Sequence, residues 1–114
     1  MTTLPFFEII QVAFPGVEAL RVGRLFQLDR ERMVIGRKPE CDIWLGSSTV
    51  GRQHAAVIKA QDKYVIEDLA SRCGTRVNNL QIRGPTDLHD GDIVGIGRVY
   101  MRFQLESPSD SSEV

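Results

Sequence analysis

The sequence predicts an all-β protein, a sandwich or barrel of short strands. Three observations carry that expectation. Over 99–105, Val99, Met101, Phe103 and Leu105 share one parity while Tyr100, Arg102 and Gln104 share the other, the two-residue period of a strand with one buried face. No segment holds apolar residues at i, i+3, i+4 and i+7 for three turns, so no amphipathic helix is predicted. Turn-forming pairs recur between short apolar runs: Lys38-Pro39, Gln61-Asp62, Asn78-Asn79, Gly84-Pro85 and Asp90-Gly91. Many short strands with regularly spaced turns are the mark of this class, and its functional residues sit on loops at one end of the strands.

The elements follow in order. Near the N-terminus, Phe6, Ile10, Val12 and Phe14 share a parity, with Glu8 as the exception, and Phe14-Pro15-Gly16 closes the run. Met33–Gly36 and Ile43–Leu45 are short strands on either side of a Lys38-Pro39 turn. His54–Ala60 and Lys63–Leu69 flank Gln61-Asp62 as a hairpin, the second rich in Tyr, Val and Ile. Asp92–Gly97 precedes the last strand. Trp44, at a strand start, is expected to be partly buried in the core rather than to serve as an exposed anchor. The domain is expected to span residues 4–106. Residues 107–114, SPSDSSEV, are polar and contain Pro108, as in a disordered tail or linker.

With 114 residues and 42% hydrophobic content, the chain can bury one core without disulfides or metals. The formal net charge of −1 argues against a nucleic-acid binder, which needs a basic face. Cys41 and Cys73 are the two cysteines. They form no CxxC or Cys/His spacing, so no metal site and no cofactor are expected. The N-terminus has no basic n-region and carries Glu8 inside its apolar run. It reads as neither signal peptide nor membrane span, so the expected location is the cytoplasm and no membrane partner is expected.

Three segments are chemically special: 34–43, 47–55 and 68–78. Gly36-Arg37 ends a strand. Gly51-Arg52-Gln53-His54 follows roughly a dozen residues later. Then comes Asp68-Leu-Ala-Ser-Arg-Cys-Gly-Thr-Arg-Val-Asn78, and finally Asp90-Gly-Asp-Ile-Val-Gly-Ile-Gly97. In order and spacing these resemble the forkhead-associated (FHA) domain, a phosphothreonine-recognition module. That family runs Gly-Arg, Ser-Arg-x-His, then Asp-x-x-Ser-x-Asn-Gly-Thr-x-Val-Asn-Gly. The resemblance covers about Leu20 to Leu105. It implies a SMAD/FHA-type β-sandwich of about eleven strands, mostly antiparallel, with a peptide gripped by loops at one end.

The resemblance also assigns roles. Arg37 contacts phosphate, and a guanidinium suits that task through fork-shaped, charge-assisted hydrogen bonds. Arg52, Ser71 and Arg72 complete the ligand-facing set, with Arg72 where many members carry a small polar residue. Gly36, His54, Asp68, Gly74, Thr75 and Asn78 support the loops. His54 braces rather than binds, and Gly74 is expected to need φ > 0, where a Cβ is costly. Two ligand-facing positions depart. Gly51 stands where the family has a serine whose hydroxyl donates to phosphate, so it offers only its N–H. Cys73 stands where an asparagine holds the peptide backbone, and a thiol is a poor donor and acceptor. Each lost bond to a charged group costs roughly 1.5–3 kcal/mol. As compensation, Arg37 and Lys38 offset Glu40 and Asp42, Arg52 adds a positive charge, and Arg72 with Arg76 outweigh Asp68 by one. The three loops thus carry +2 in a chain of net −1. Asp42 and Asp68 are expected to point inward, leaving a basic apex.

The implied function is binding of a phosphothreonine-containing protein or peptide in Ser/Thr kinase signalling. The alternative is a degenerate FHA domain making phosphate-independent contacts or self-associating, which Gly51 and Cys73 favour. Catalysis is not expected. His54 has a bracing role, His89 lies in a polar turn, nothing places a histidine beside Cys73, and no phosphate-binding GxxxxGK[ST] loop is present. Cys73, beside Arg72, is expected to be exposed and more easily alkylated than Cys41, which lies between Glu40 and Asp42.

Overall fold

The computed structural model describes residues 4–13 and 21–105. Phe14, the Phe14-Pro15-Gly16 turn and the segment 107–114 lie outside the described residues. Eleven strands form: β1 (Phe6–Val12), β2 (Leu25–Gln27), β3 (Arg32–Gly36), β4 (Ile43–Trp44), β5 (Ala55–Ala60), β6 (Lys63–Asp68), β7 (Thr75–Val77), β8 (Leu80–Gln81), β9 (Thr86–Leu88), β10 (Ile93–Ile96) and β11 (Val99–Gln104). They make two sheets, ordered β2-β1-β11-β10-β7-β8 and β4-β3-β5-β6-β9. The β3–β4 pair is parallel. The other described pairings are antiparallel.

The expected alternation holds in β11, where Val99, Met101 and Phe103 are fully buried and their neighbours half-buried; Leu105, expected on the same face, lies past the end of the strand and is exposed. Phe103 joins the two sheets. Its ring lies 5.7 Å from Phe7 on the neighbouring strand of its own sheet and 5.8 Å from Tyr64 on the other, both tilted. Such aromatic pairs add roughly 0.5–1.5 kcal/mol beyond area burial.

The inward parity of β1 follows the expected one only in part. Phe6 is buried and Val12 packs against the core, but the fully buried residues are Phe7 and Ile9, of the other parity, and Ile10 is only half-buried. Glu8 was the signal. It pairs in register with Arg102 on the outer face, since an unpartnered carboxylate does not enter a core. A bulge between Ile9 and Gln11 then shifts the register, which breaks the period of two. The strands β2, β7, β8 and β9 have two or three residues each, too few to show a period.

Two features place the loops. In the β7–β8 hairpin, Asn78 and Asn79 both take φ > 0, at 52° and 69°, as a two-residue type I′ turn requires. Gly36 closes β3 so near the β4–β5 loop that a Cβ there would lie 2.2 Å from the Arg52 carbonyl oxygen. The β3–β4, β4–β5 and β6–β7 loops therefore meet at one end, together with the Gly97-Arg98 turn.

Candidate functional site at the loop apex

Arg37 is held at three points. Its N–H donates to the Gly51 carbonyl at 2.9 Å and its Nε to the Val50 carbonyl at 3.0 Å. Its own carbonyl accepts from Trp44 Nε1 at 2.8 Å. The two terminal nitrogens of an exposed guanidinium are left facing solvent. Trp44 is 37% exposed, with its indole lying over Gly46. It sits outside the core, contrary to expectation, because its N–H finds a partner only at the surface loop. Asp42 is tied back to β3 rather than pointing inward. It accepts from the Val34 N–H at 2.9 Å and pairs with Arg30 at 3.0 Å, which keeps its charge off the loop tip.

His54 is fully buried and bridges two loops. The Gly51 N–H donates to its Nδ1 at 2.9 Å, and its Nε2 lies 2.8 Å from the Gly74 carbonyl. An Nδ1 that accepts carries no proton, so in the neutral ring Nε2 is the donor to Gly74. This corrects one expectation. The Gly51 N–H is not offered to a ligand, because the brace uses it. The φ of Gly51 is not left-handed, and a Cβ there meets His54 at 3.5 Å, an ordinary contact. A Cβ is thus accommodated at this position.

Asp68 organises the β6–β7 loop. It accepts from the Ser71 N–H at 2.9 Å, from Ser71 Oγ at 2.5 Å and from Thr75 Oγ1 at 2.7 Å. Burial pushes its pKa up, but the hydrogen bonds from Ser71 and Thr75 outweigh burial and hold it below the usual carboxylate value. Ser71 Oγ also accepts from the Gly74 N–H at 2.9 Å. Gly74 has φ of +78°, as expected, and a Cβ there would strike the Gln81 side chain. Ala70 is held at φ of +57°, a conformation that costs a residue with a Cβ roughly 1–2 kcal/mol. Asn78 donates to Asp92 and accepts from the Ile93 N–H, locking the hairpin to β10.

The loop then splits its arginines. Arg76 turns to the outer face of the six-stranded sheet, donating to the Gly97 carbonyl at 2.7 Å and lying over the Tyr100 ring. Its guanidinium does not line the apex depression. Arg72 and Cys73 are exposed, with no hydrogen bond or ion pair among the described residues. Cys41 is half-buried and donates to the Arg52 carbonyl at 3.2 Å. Burial, with Glu40 and Asp42 behind it, pushes its pKa up.

These pieces enclose an open depression of about 270 Å³. Of the sequence-predicted residues, Arg37, Gly51, His54, Arg72 and Cys73 line it. Arg52 is exposed but does not, and Ser71 does not because its hydroxyl faces Asp68. Sequence reasoning missed Ser48, Thr49 and Val50, which also line it. The hydroxyls in the 47–55 segment were the available signal. Two guanidiniums and no carboxylate border the depression. A larger one, about 510 Å³, lies beside β2 and carries Asp29, Glu40 and Asp42 against Arg30. Sign of charge, not size, marks the apex as an anion site.

The family model for the FHA domain matches residues 33–97. The chain belongs to the FHA domain family. It is 36% identical over 97 residues to the transcriptional regulatory protein EmbR of Mycobacterium tuberculosis, covering 85% of this chain and 25% of EmbR. It is 38% identical over 86 residues to the oxoglutarate dehydrogenase inhibitor of Corynebacterium diphtheriae, covering 75% of this chain and 59% of that protein. The solved structure of Mycobacterium tuberculosis EmbR in complex with a low-affinity phosphopeptide superposes with a TM-score of 0.79 at 31% identity. That match covers 92% of this chain and 25% of EmbR. The chain thus spans a quarter to three fifths of these relatives, and the FHA sandwich of eleven strands is the shared part.

Proposed function

We propose that the apex depression binds the phosphate of a phosphothreonine-containing peptide, making the chain a protein-interaction module in Ser/Thr kinase signalling. One observation carries this reading. Arg37 is clamped through its carbonyl, N–H and Nε so that two guanidinium donors project beside Arg72, with no carboxylate in the lining. Pre-set donors around a phosphate lose little freedom on binding. The EmbR structure, with its bound phosphopeptide, supports the same use of the fold.

The module reads rather than reacts, in keeping with relatives named as a regulator and an inhibitor. Among the described residues no helix is long and apolar enough to cross a membrane. We place the chain in the cytoplasm, where kinases phosphorylate threonine.

A second reading rests on a specific observation. The Gly51 N–H is consumed by His54, Ser71 Oγ by Asp68 and Gly74, and Cys73 replaces an amide. A site so reduced suits phosphate-independent contacts. Titration with matched phosphothreonine and threonine peptides separates the two. The first reading expects at least a tenfold preference for the phosphorylated form, and equal affinity contradicts it.

A further inference from the structure

A phosphate at the apex needs hydroxyl or N–H donors besides guanidinium. Gly51 has no hydroxyl and its N–H is taken. Ser71 Oγ and Thr75 Oγ1 both donate to Asp68. Ser47 Oγ and Thr49 Oγ1 bond each other at 2.9 Å, Ser47 Oγ accepts from the Thr49 N–H and Thr49 Oγ1 from the Arg98 N–H at 3.0 Å, so both hydroxyls are held within the loop network, which uses one of their two protons. Ser48 differs. It is exposed, it lines the depression with Arg37 and Arg72, and its hydroxyl has no partner among the described residues.

The backbone around Ser48 is fixed. The Val50 N–H donates to the Ser47 carbonyl at 3.0 Å, closing a turn with Ser48 at its second position. Thr49 packs so closely on the Gly97-Arg98 turn that a Cβ at Gly97 would lie 2.4 Å from the Thr49 carbonyl oxygen. The tip is thus pinned from both sides.

We infer that Ser48 supplies the side-chain hydroxyl that donates to phosphate in this chain, three positions before the Gly51 that lacks one. The inference rests on the phosphate-binding reading and names a contact within it. Ser48 O–H donates to a phosphate oxygen while Arg37 and Arg72 neutralise the others.

The test titrates matched phosphothreonine and threonine peptides into four proteins: unaltered, Ser48→Ala, Gly51→Ser and the double variant. Ser48→Ala is expected to weaken the phosphopeptide roughly tenfold with an unchanged melting temperature, because the side chain is exposed. Affinity for the threonine peptide stays constant. Gly51→Ser restores the lost affinity in the Ser48→Ala background to within about threefold, because it returns a hydroxyl to the lining of the same depression. Ser48→Ala within twofold of the unaltered protein, while that protein still prefers the phosphopeptide, overturns the role of Ser48 alone. An equal loss for both peptides also overturns it. No preference in the unaltered protein sinks the phosphate reading itself.

Discussion

The two halves of the apex use the same residue types in opposite ways. In the brace, His54, Asp68, Ser71 and Thr75 spend their polar side-chain atoms on one another or on the loop backbone. No buried polar side-chain atom among the described residues lacks a partner. At the rim, Ser48, Arg72 and Cys73 are exposed and have none. The contrast teaches how to sort loop residues. A serine in this loop system is scaffold or ligand contact according to where its hydroxyl bond goes, and Ser71 and Ser48 fall on opposite sides. Brace substitutions should therefore cost stability, and rim substitutions should cost affinity.

The largest expected effect is at His54. His54→Ala removes both loop links, orphans the Gly51 N–H and Gly74 carbonyl and leaves a cavity, for a loss of about 3–5 kcal/mol in denaturant unfolding. Asp68→Asn comes next, at about 2–3 kcal/mol, because the amide group opposes one of the donors that the carboxylate accepts. Its pH dependence has a definite sign. Asp68 has a lowered pKa in the folded state, so its contribution is full above the ordinary carboxylate value of about 3.9 and is lost as pH falls through the folded value. The gap in stability between the two proteins should stay constant above pH ~5 and shrink below pH ~4. A gap that widens in acid contradicts the assigned hydrogen bonding.

Trp44 sits between the two classes. Trp44→Phe keeps the ring over Gly46 but frees the Arg37 carbonyl. The expected outcome is a phosphopeptide affinity lower by about 1 kcal/mol, with no effect when Arg37 is already alanine. Additive losses in that double-mutant cycle would show that Trp44 acts elsewhere. The smallest effect concerns the thiols. Cys73 is exposed and Cys41 is half-buried with a raised pKa, so native-state alkylation followed by mass spectrometry should label Cys73 several-fold faster. Faster labelling of Cys41 would place Cys73 out of solvent.

Much of this was legible in the sequence, for physical reasons. Alternation over 99–104 showed β11, because six residues suffice to display a period. The Gly36-Arg37, His54 and Asp68–Asn78 signatures pointed to one apex, and Gly74 to a left-handed turn. Phe7 and Ile9 were missed on the inner face of β1 because apolar count outweighed the single carboxylate Glu8, and because a bulge leaves no mark in composition. Arg76 looked like apex charge, yet Gly95 leaves room for its guanidinium against the outer sheet. Commitment of the Gly51 N–H to His54, and the lack of any bond to Ser48, are three-dimensional facts that no motif encodes.

The most direct test of the central claim is a calorimetric titration of matched phosphothreonine and threonine peptides into the unaltered chain and Arg37→Ala. Phosphate recognition by the clamped guanidinium predicts a preference for the phosphopeptide in the unaltered chain. It also predicts a loss of about 2–4 kcal/mol for the phosphopeptide on Arg37→Ala, with the melting temperature within a few degrees. Phosphopeptide binding that survives Arg37→Ala at full strength would contradict it.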